Sequence, residues 1–176
     1  APDGSISDVV VMLVKSKIAV ELPEEPVVVR IENCRFEPHV LAIPVGTRVR
    51  FENKGGEPVE LRVAPRRAPE LRRELLPEGG FEIPFEADGE VELRSPSHPW
   101  MSATIRVVDG PSAVTDANGI ARIEGLPPGG HHVLYLEHES LGKGKAMLQL
   151  EEGRLEVEAT TKKRNFKVDV KKRRRD

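Results

Sequence analysis

The side chains that could hold a metal or a reacting group are few: His39, His98, His131, His132 and His138, one cysteine, Cys34, and three methionines. A single thiol excludes an intramolecular disulfide and any zinc site built from several thiolates. In a strand running from His131, alternate residues share a face, so His132 and His138 would lie on one face about 20 Å apart, too far for one ion. A histidine-based zinc site is not expected. The chain carries no G-x-S-x-G elbow, phosphate-binding loop or H-E-x-x-H, and no carboxylate pair that its context singles out. No enzyme activity is expected. What remains is the loop Ser95-Pro-Ser-His98-Pro-Trp-Met101, where an imidazole and a thioether are soft donors that suit Cu(I).

The elements around that loop read as strands. The 176 residues include 15 Gly and 15 Pro, a density of punctuation that long helices do not tolerate. β-branched or alternating runs occur at Asp8 to Val14, Val27 to Glu32, Thr47 to Glu52, Val59 to Val63, Phe81 to Phe85, Glu90 to Arg94 and Ala103 to Val108. Four more follow, at Ile120 to Ile123, His132 to Leu136, Ala146 to Leu150 and Leu155 to Ala159. Turn signals separate them, among them Pro44-Val-Gly46, Asn118-Gly119, Pro127-Pro-Gly-Gly130 and Glu152-Gly153. Short strands at this spacing predict β-sandwiches. Only Pro69 to Leu76 reads as helix, with Leu71, Leu75 and Leu76 on one face. No apolar run approaches the roughly 18 residues of a membrane helix, so no transmembrane segment is expected.

Two stretches resemble known families. Cys34 to Asn53 contains Pro44-Val-Gly-Thr-Arg-Val-Arg-Phe-Glu-Asn53, a P-x-G-x-x-V-x-F-x-N phrase, and Ser97-His-Pro-Trp-Met-Ser-Ala103 follows much later. Together they resemble a plastocyanin-like cupredoxin, in which the first phrase forms hairpins of a Greek-key sandwich and the second holds later copper ligands. Val114-Thr-Asp-Ala-Asn-Gly119 with Ile123-Glu-Gly-Leu-Pro-Pro-Gly129 resembles a carboxypeptidase regulatory-like, or transthyretin-like, module. This order is similar to that of bacterial extracytoplasmic proteins related to methylamine-utilisation proteins. The implied fold class is all-β: a cupredoxin Greek-key β-sandwich plus a small transthyretin-like β-sandwich.

The cupredoxin resemblance allows a ligand-by-ligand reading. A blue-copper site takes two imidazoles, one thiolate and a weak axial thioether, and the thiolate dominates affinity. The family's loop runs Cys-x-x-His-x-x-Met, so His98 and Met101 match its later ligands while Ser95 stands where the thiolate belongs. The early histidine position corresponds to Leu61. With both lost, no metal and no cofactor are expected, and His98 and Met101 remain as residual candidates. Trp100 and Met101 are then expected to cap the sandwich, Cys34 to be a small buried residue at a strand end, and His39 to pack or hydrogen-bond near a strand start.

Residues 112 to 160 make too small a sandwich to be comfortably stable alone. The expected organisation is therefore 1–22 as N-terminal strand or strands belonging to the second module, 23–109 as the cupredoxin-like domain, 110–160 as the transthyretin-like module and 161–176 as a basic tail. The tail holds nine Lys or Arg against two Asp, while the first 160 residues carry 18 basic and 27 acidic side chains. Such a tail is either a solvated end or an arm that docks on an acidic surface. Its candidate contacts are Lys162, Lys163, Arg164, Lys171, Lys172, Arg173, Arg174 and Arg175. Arg66, Arg67, Arg72 and Arg73 are interleaved with Glu70 and Glu74, a mixed-sign surface, and aromatics for nucleic-acid stacking are lacking.

The function expected is that of an extracytoplasmic, non-catalytic structural or protein-interaction module. Its partner would be another protein, or further copies of the chain meeting through an acidic surface, as a homo-oligomer or a subunit of a larger complex. The alternative is a copper-binding or electron-transfer accessory protein using His98 and Met101. A periplasmic or extracellular location follows from the resemblance, and the chain's start at Ala1 fits a leader that is removed or not included.

Overall fold

The computed structural model describes residues 5–14, 18–126, 131–149, 153–162 and 165–171, and among them there is no helix. They form strands in two compact units, one taking the residues up to Val20 and from Val108 onward, the other Glu21–Val107. The first strand is β1 (Val10–Val14). The Glu21–Val107 unit follows with β2 (Val27–Glu32), β3 (Arg35–Glu37), β4 (Val40–Pro44), β5 (Arg48–Asn53), β6 (Val59–Pro65), β7 (Leu71–Leu75), β8 (Gly80–Pro84), β9 (Gly89–Ser95) and β10 (His98–Val108). Then come β11 (Ser112–Val114), β12 (Ile120–Leu126), β13 (His131–His138), β14 (Gly142–Gln149), β15 (Gly153–Lys162) and β16 (Asn165–Lys171). The turn at Pro127 to Gly130 and Glu152 of the Glu152-Gly153 turn lie outside the described residues.

In the Glu21–Val107 unit one sheet has the order β3-β2-β5-β8 and the other β4-β10-β9-β6-β7. Alternation dictates the packing. In β5, Val49, Phe51 and Asn53 are buried while Arg48 and Arg50 are exposed; in β6, Val59, Leu61 and Val63 are buried in turn. These inward residues, with Val29, Ile31, Leu93 and Ile105, enclose one core between two sheets, which makes the unit a β-sandwich. Gly80 is required where β8 meets β5: a Cβ there would sit 2.5 Å from the Phe51 carbonyl oxygen.

Asn53 joins the two sheets through a side chain with no exposure. Its Nδ2 donates to the carbonyls of Leu75 on β7, at 2.9 Å, and of Glu57, at 2.8 Å; its Oδ1 accepts from the Gly55 amide at 2.9 Å. The backbone closes the same corner, with Asn53 N–H bonded to the Gly79 carbonyl and Glu78 N–H to that of Asn53.

In the other unit β1 is antiparallel to both β11 and β13, giving the order β11-β1-β13-β14, and a second sheet has the order β12-β15-β16. Val9, Val11 and Leu13 pack with Ala121, Ile123, Leu126, Leu134 and Leu136 in a separate core. Thr115, itself buried, fixes the entry to β1: its Oγ1 accepts from Val9 N–H at 3.0 Å and donates to the Ile6 carbonyl at 2.8 Å. β16 pairs with β15 in a register that sets Lys171 opposite Glu156.

Two expectations are corrected. Pro69 to Leu76 is no helix: Leu71–Leu75 is an edge strand antiparallel to β6. Seven residues between Pro69 and the Pro77-Glu-Gly-Gly80 turn are too few to sustain a helix alone, and β6 offers a full ladder instead. Only Leu75 of the supposed apolar face is buried, and Leu76 is 59% exposed. Cys34 is exposed rather than buried, because Asn33 and Cys34, with φ of 50° and 54°, form the two-residue β2–β3 turn.

The edge strand β7 also organises the mixed-sign surface. Glu70 accepts from Arg62 Nε and Arg72 Nε, each at 2.6 Å, and these bonds, that of Arg72 first, hold the Glu70 carboxyl below its ordinary pKa. Register places Arg72, Arg62 and Arg94 side by side on β7, β6 and β9, where like charges repel unless carboxylates intervene.

Two outcomes follow. Asn53→Ala strips partners from the buried Leu75 carbonyl, the Glu57 carbonyl and the Gly55 amide and is expected to lower the unfolding free energy by about 2 kcal/mol; denaturant unfolding measures it, and a loss within experimental error would show that the amide does not hold the corner. A depressed folded-state pKa means that Glu70 stabilises the fold above its unfolded pKa and ceases to do so as pH falls through the folded value. Glu70→Gln is therefore expected to unfold more easily than wild type at neutral pH and equally at acid pH; a difference that persists below the folded pKa would contradict this.

Candidate functional site

The residues matched to copper ligands meet at one end of the Glu21–Val107 sandwich. Ser95 closes β9, His98 opens β10, and the two face each other in register. Between His98 and Ser102 the register shifts, a bulge that turns Met101 inward and leaves Trp100 outside. Leu61 sits on the neighbouring strand: Arg62 pairs with Arg94, so the next step of the same antiparallel register brings Leu61 beside Ser95. Ser95, Leu61 and Met101 are all buried.

The polar contacts are those of hydroxyls. Ser95 Oγ lies 3.1 Å from Ser97 Oγ and 3.5 Å from His98 Nδ1, and Ser97 Oγ is 3.0 Å from the same ring nitrogen. The His98 ring meets Trp100 edge-on, with centroids 5.3 Å apart. Hydroxyl oxygens are hard, neutral donors, whereas copper at such a site takes a thiolate. The inward positions of β6, Val59, Leu61 and Val63, are all aliphatic, so that strand supplies no imidazole either. Among the described residues no three His, Cys, Asp or Glu side chains come together as a metal-binding group.

The same geometry does not build a nucleophile. Ser95 is 2% exposed, its approach to His98 is long, and among the described residues no carboxylate is bonded to the imidazole to orient it.

The remaining candidates are dispersed. His39 lies between β3 and β4, with Nδ1 donating to the Ser102 carbonyl at 2.9 Å and its own carbonyl accepting from Thr104 N–H, so it pins β10 to β4. Cys34 is in the β2–β3 turn. Met101 caps the core as expected; Trp100 does not, being 68% exposed, because the bulge aims it at solvent. Lys162 and Lys171 terminate β15 and β16, while Lys163, Arg164, Lys172, Arg173, Arg174 and Arg175 lie outside the described residues. Ser97, which carries the contact to His98, escaped the sequence reading because only ligand spacing marked that loop. Asn53 was visible as the last residue of the P-x-G-x-x-V-x-F-x-N phrase, but its amide partners are 4 and 22 residues away.

No protein-family profile and no curated protein sequence matches the chain. Among solved structures it is similar to the Cu-containing nitrite reductase (NirK) from Thermus scotoductus SA-01, at 30% identity over 52% of this chain and 25% of that one, with a TM-score of 0.45. A mutant of amicyanin in the Cu(I) state matches at 17% identity over 56% of this chain and 98% of that one, with a TM-score of 0.45. A purple cupredoxin from Nitrosopumilus maritimus matches at 22% identity over 47% of this chain and 99% of that one, with a TM-score of 0.41. The chain thus spans about a quarter of the nitrite reductase and nearly all of the two smaller proteins. At these scores the likenesses carry no inference about copper or catalysis.

Proposed function

We propose that the chain is a non-catalytic, cupredoxin-like interaction or assembly protein that has no type 1 copper site and carries a second, transthyretin-like module. The observation that carries this reading is Ser95: a buried hydroxyl, bonded to Ser97 and close to His98, occupies the position where the resemblance puts a thiolate. Leu61 beside it adds an aliphatic side chain where an imidazole would be needed. An extracytoplasmic location belongs to the same proposal and rests on the sequence resemblance.

Trp100 supports a role in contact rather than chemistry. A large aromatic held at 68% exposure by a bulge, with its neighbour Met101 in the core, has the amphipathic character of interface anchors. The basic residues from Lys162 to Arg175 are the second proposed contact, suited by charge to an acidic protein surface. Because β16 is part of the sheet, a chain cut at residue 160 would lose a strand as well as charge, so neutralisation is the cleaner test.

Purified protein titrated with Cu(II) is expected to remain colourless, and Ser95→Cys combined with Leu61→His is expected to acquire an intense visible thiolate-to-copper band. A coloured wild-type complex would overturn the proposal and favour the copper-accessory reading through His98 and Met101. Replacement of Lys172, Arg173, Arg174 and Arg175 by Gln is expected to abolish salt-sensitive association, read by light scattering alone and with an acidic polypeptide such as polyglutamate. Screening acts over about 8 Å at physiological ionic strength, so wild-type association should fall as salt rises. Identical salt-independent monomers of both proteins, with no binding of polyglutamate, would remove the tail from the proposal.

A further inference from the structure

At the end of the Glu21–Val107 sandwich away from Ser95, the two sheets do not close. The edge strands β7 and β8 belong to different sheets, and near the start of β7 and the end of β8 lies a cleft of about 390 Å³. It is about 13 Å from Ser95 along β9, counted from Val91. Val63 and Val91 from one sheet and Phe85 beside the other are core residues that reach its wall, joined by half-buried Leu71 and Ile83. Pro65, Pro69 and Pro84 line it too, and their fixed φ keeps the walls in place before anything binds. This is a preformed, mostly apolar concavity in the size range of small-molecule sites.

The rim limits the chemistry. Two basic residues, Arg66 and Arg67, and three acidic ones, Glu86, Asp88 and Glu90, line the cleft, a balance of one negative charge. Arg67 Nη1 and Asp88 Oδ1 are 3.2 Å apart, an exposed ion pair between the β6–β7 and β8–β9 connections. The apolar walls carry no nucleophile, imidazole or thiol, so the cleft has the means to bind and none to react. A carboxylate or phosphate would meet a rim with excess negative charge.

We propose that this cleft is a binding site for one small, uncharged apolar molecule, held between Val63, Leu71 and Val91 on one side and Ile83 and Phe85 on the other. The site is separate from the Ser95–His98 loop and does not depend on whether copper binds there.

The test uses the uncharged dye N-phenyl-1-naphthylamine, whose fluorescence rises in apolar surroundings, with the full chain. Saturable binding of one dye per chain is expected. Ala68→Trp and Ala87→Trp, which fill the cleft from exposed rim positions, are each expected to weaken it about tenfold or more, equivalent to about 1.4 kcal/mol. Circular dichroism and thermal unfolding establish that both variants fold. Trp100→Ser, at the opposite end, is expected to leave dye affinity unchanged, and the anionic dye anilinonaphthalene sulfonate is expected to bind more weakly than the uncharged one. No saturable binding, or binding lost in Trp100→Ser but kept in both cleft-filling variants, would overturn the site. Tighter binding of the anionic dye would overturn the ligand class.

Discussion

Two sheets whose apolar faces meet can still slide, since burial of aliphatic groups is not directional. In the Glu21–Val107 unit the buried amide of Asn53 supplies the missing direction: from the end of β5 it reaches the Leu75 carbonyl of the facing sheet while gripping Glu57 and Gly55 of its own turn. The end of β5, the β5–β6 turn, β7 and the turn into β8 are joined there by bonds to this one residue. Because an unmet buried carbonyl is costlier than a met one is favourable, the corner has a single low-energy arrangement.

The loop residues Ser95, His98 and Met101 gather at one end of the same sandwich. The strands bring Ser95, Leu61, Met101 and His98 to one end of the sandwich, where the side chains are a buried hydroxyl, an aliphatic group, a buried thioether and an imidazole in contact with Ser97. A hydroxyl and a thiolate differ in charge and softness as donors but make similar demands on the backbone, so a strand frame does not by itself fix the chemistry of its loop.

The open side of the same sandwich is managed differently. β7 is an edge, and its central inward position is Arg73, whose guanidinium lies 5.6 Å from the centroid of the Phe81 ring on β8. A charge on an edge strand discourages pairing with another chain, and here it stays exposed while its guanidinium faces an aromatic ring. Beyond Arg73 the sheets part, and the cleft begins.

The sequence by itself determined most of the local structure. Alternation in Arg48 to Asn53 and Val59 to Val63 marked strands and their buried faces, because a period of two leaves a strand no choice of which side meets the core. The donor types in the Ser95 to Met101 loop were legible too, since donor type is a property of the residue. Tertiary structure decided what depends on partners distant in the chain. Leu71 to Leu75 is a strand because β6 lies alongside it, and Cys34 is exposed because a two-residue turn leaves its side chain outside. Val10 to Val14 pairs with β11 and β13, about a hundred residues away and more, and the cleft arises only where two edges fail to meet. Periodicity reports which face a residue presents; only long-range pairing determines what that face meets.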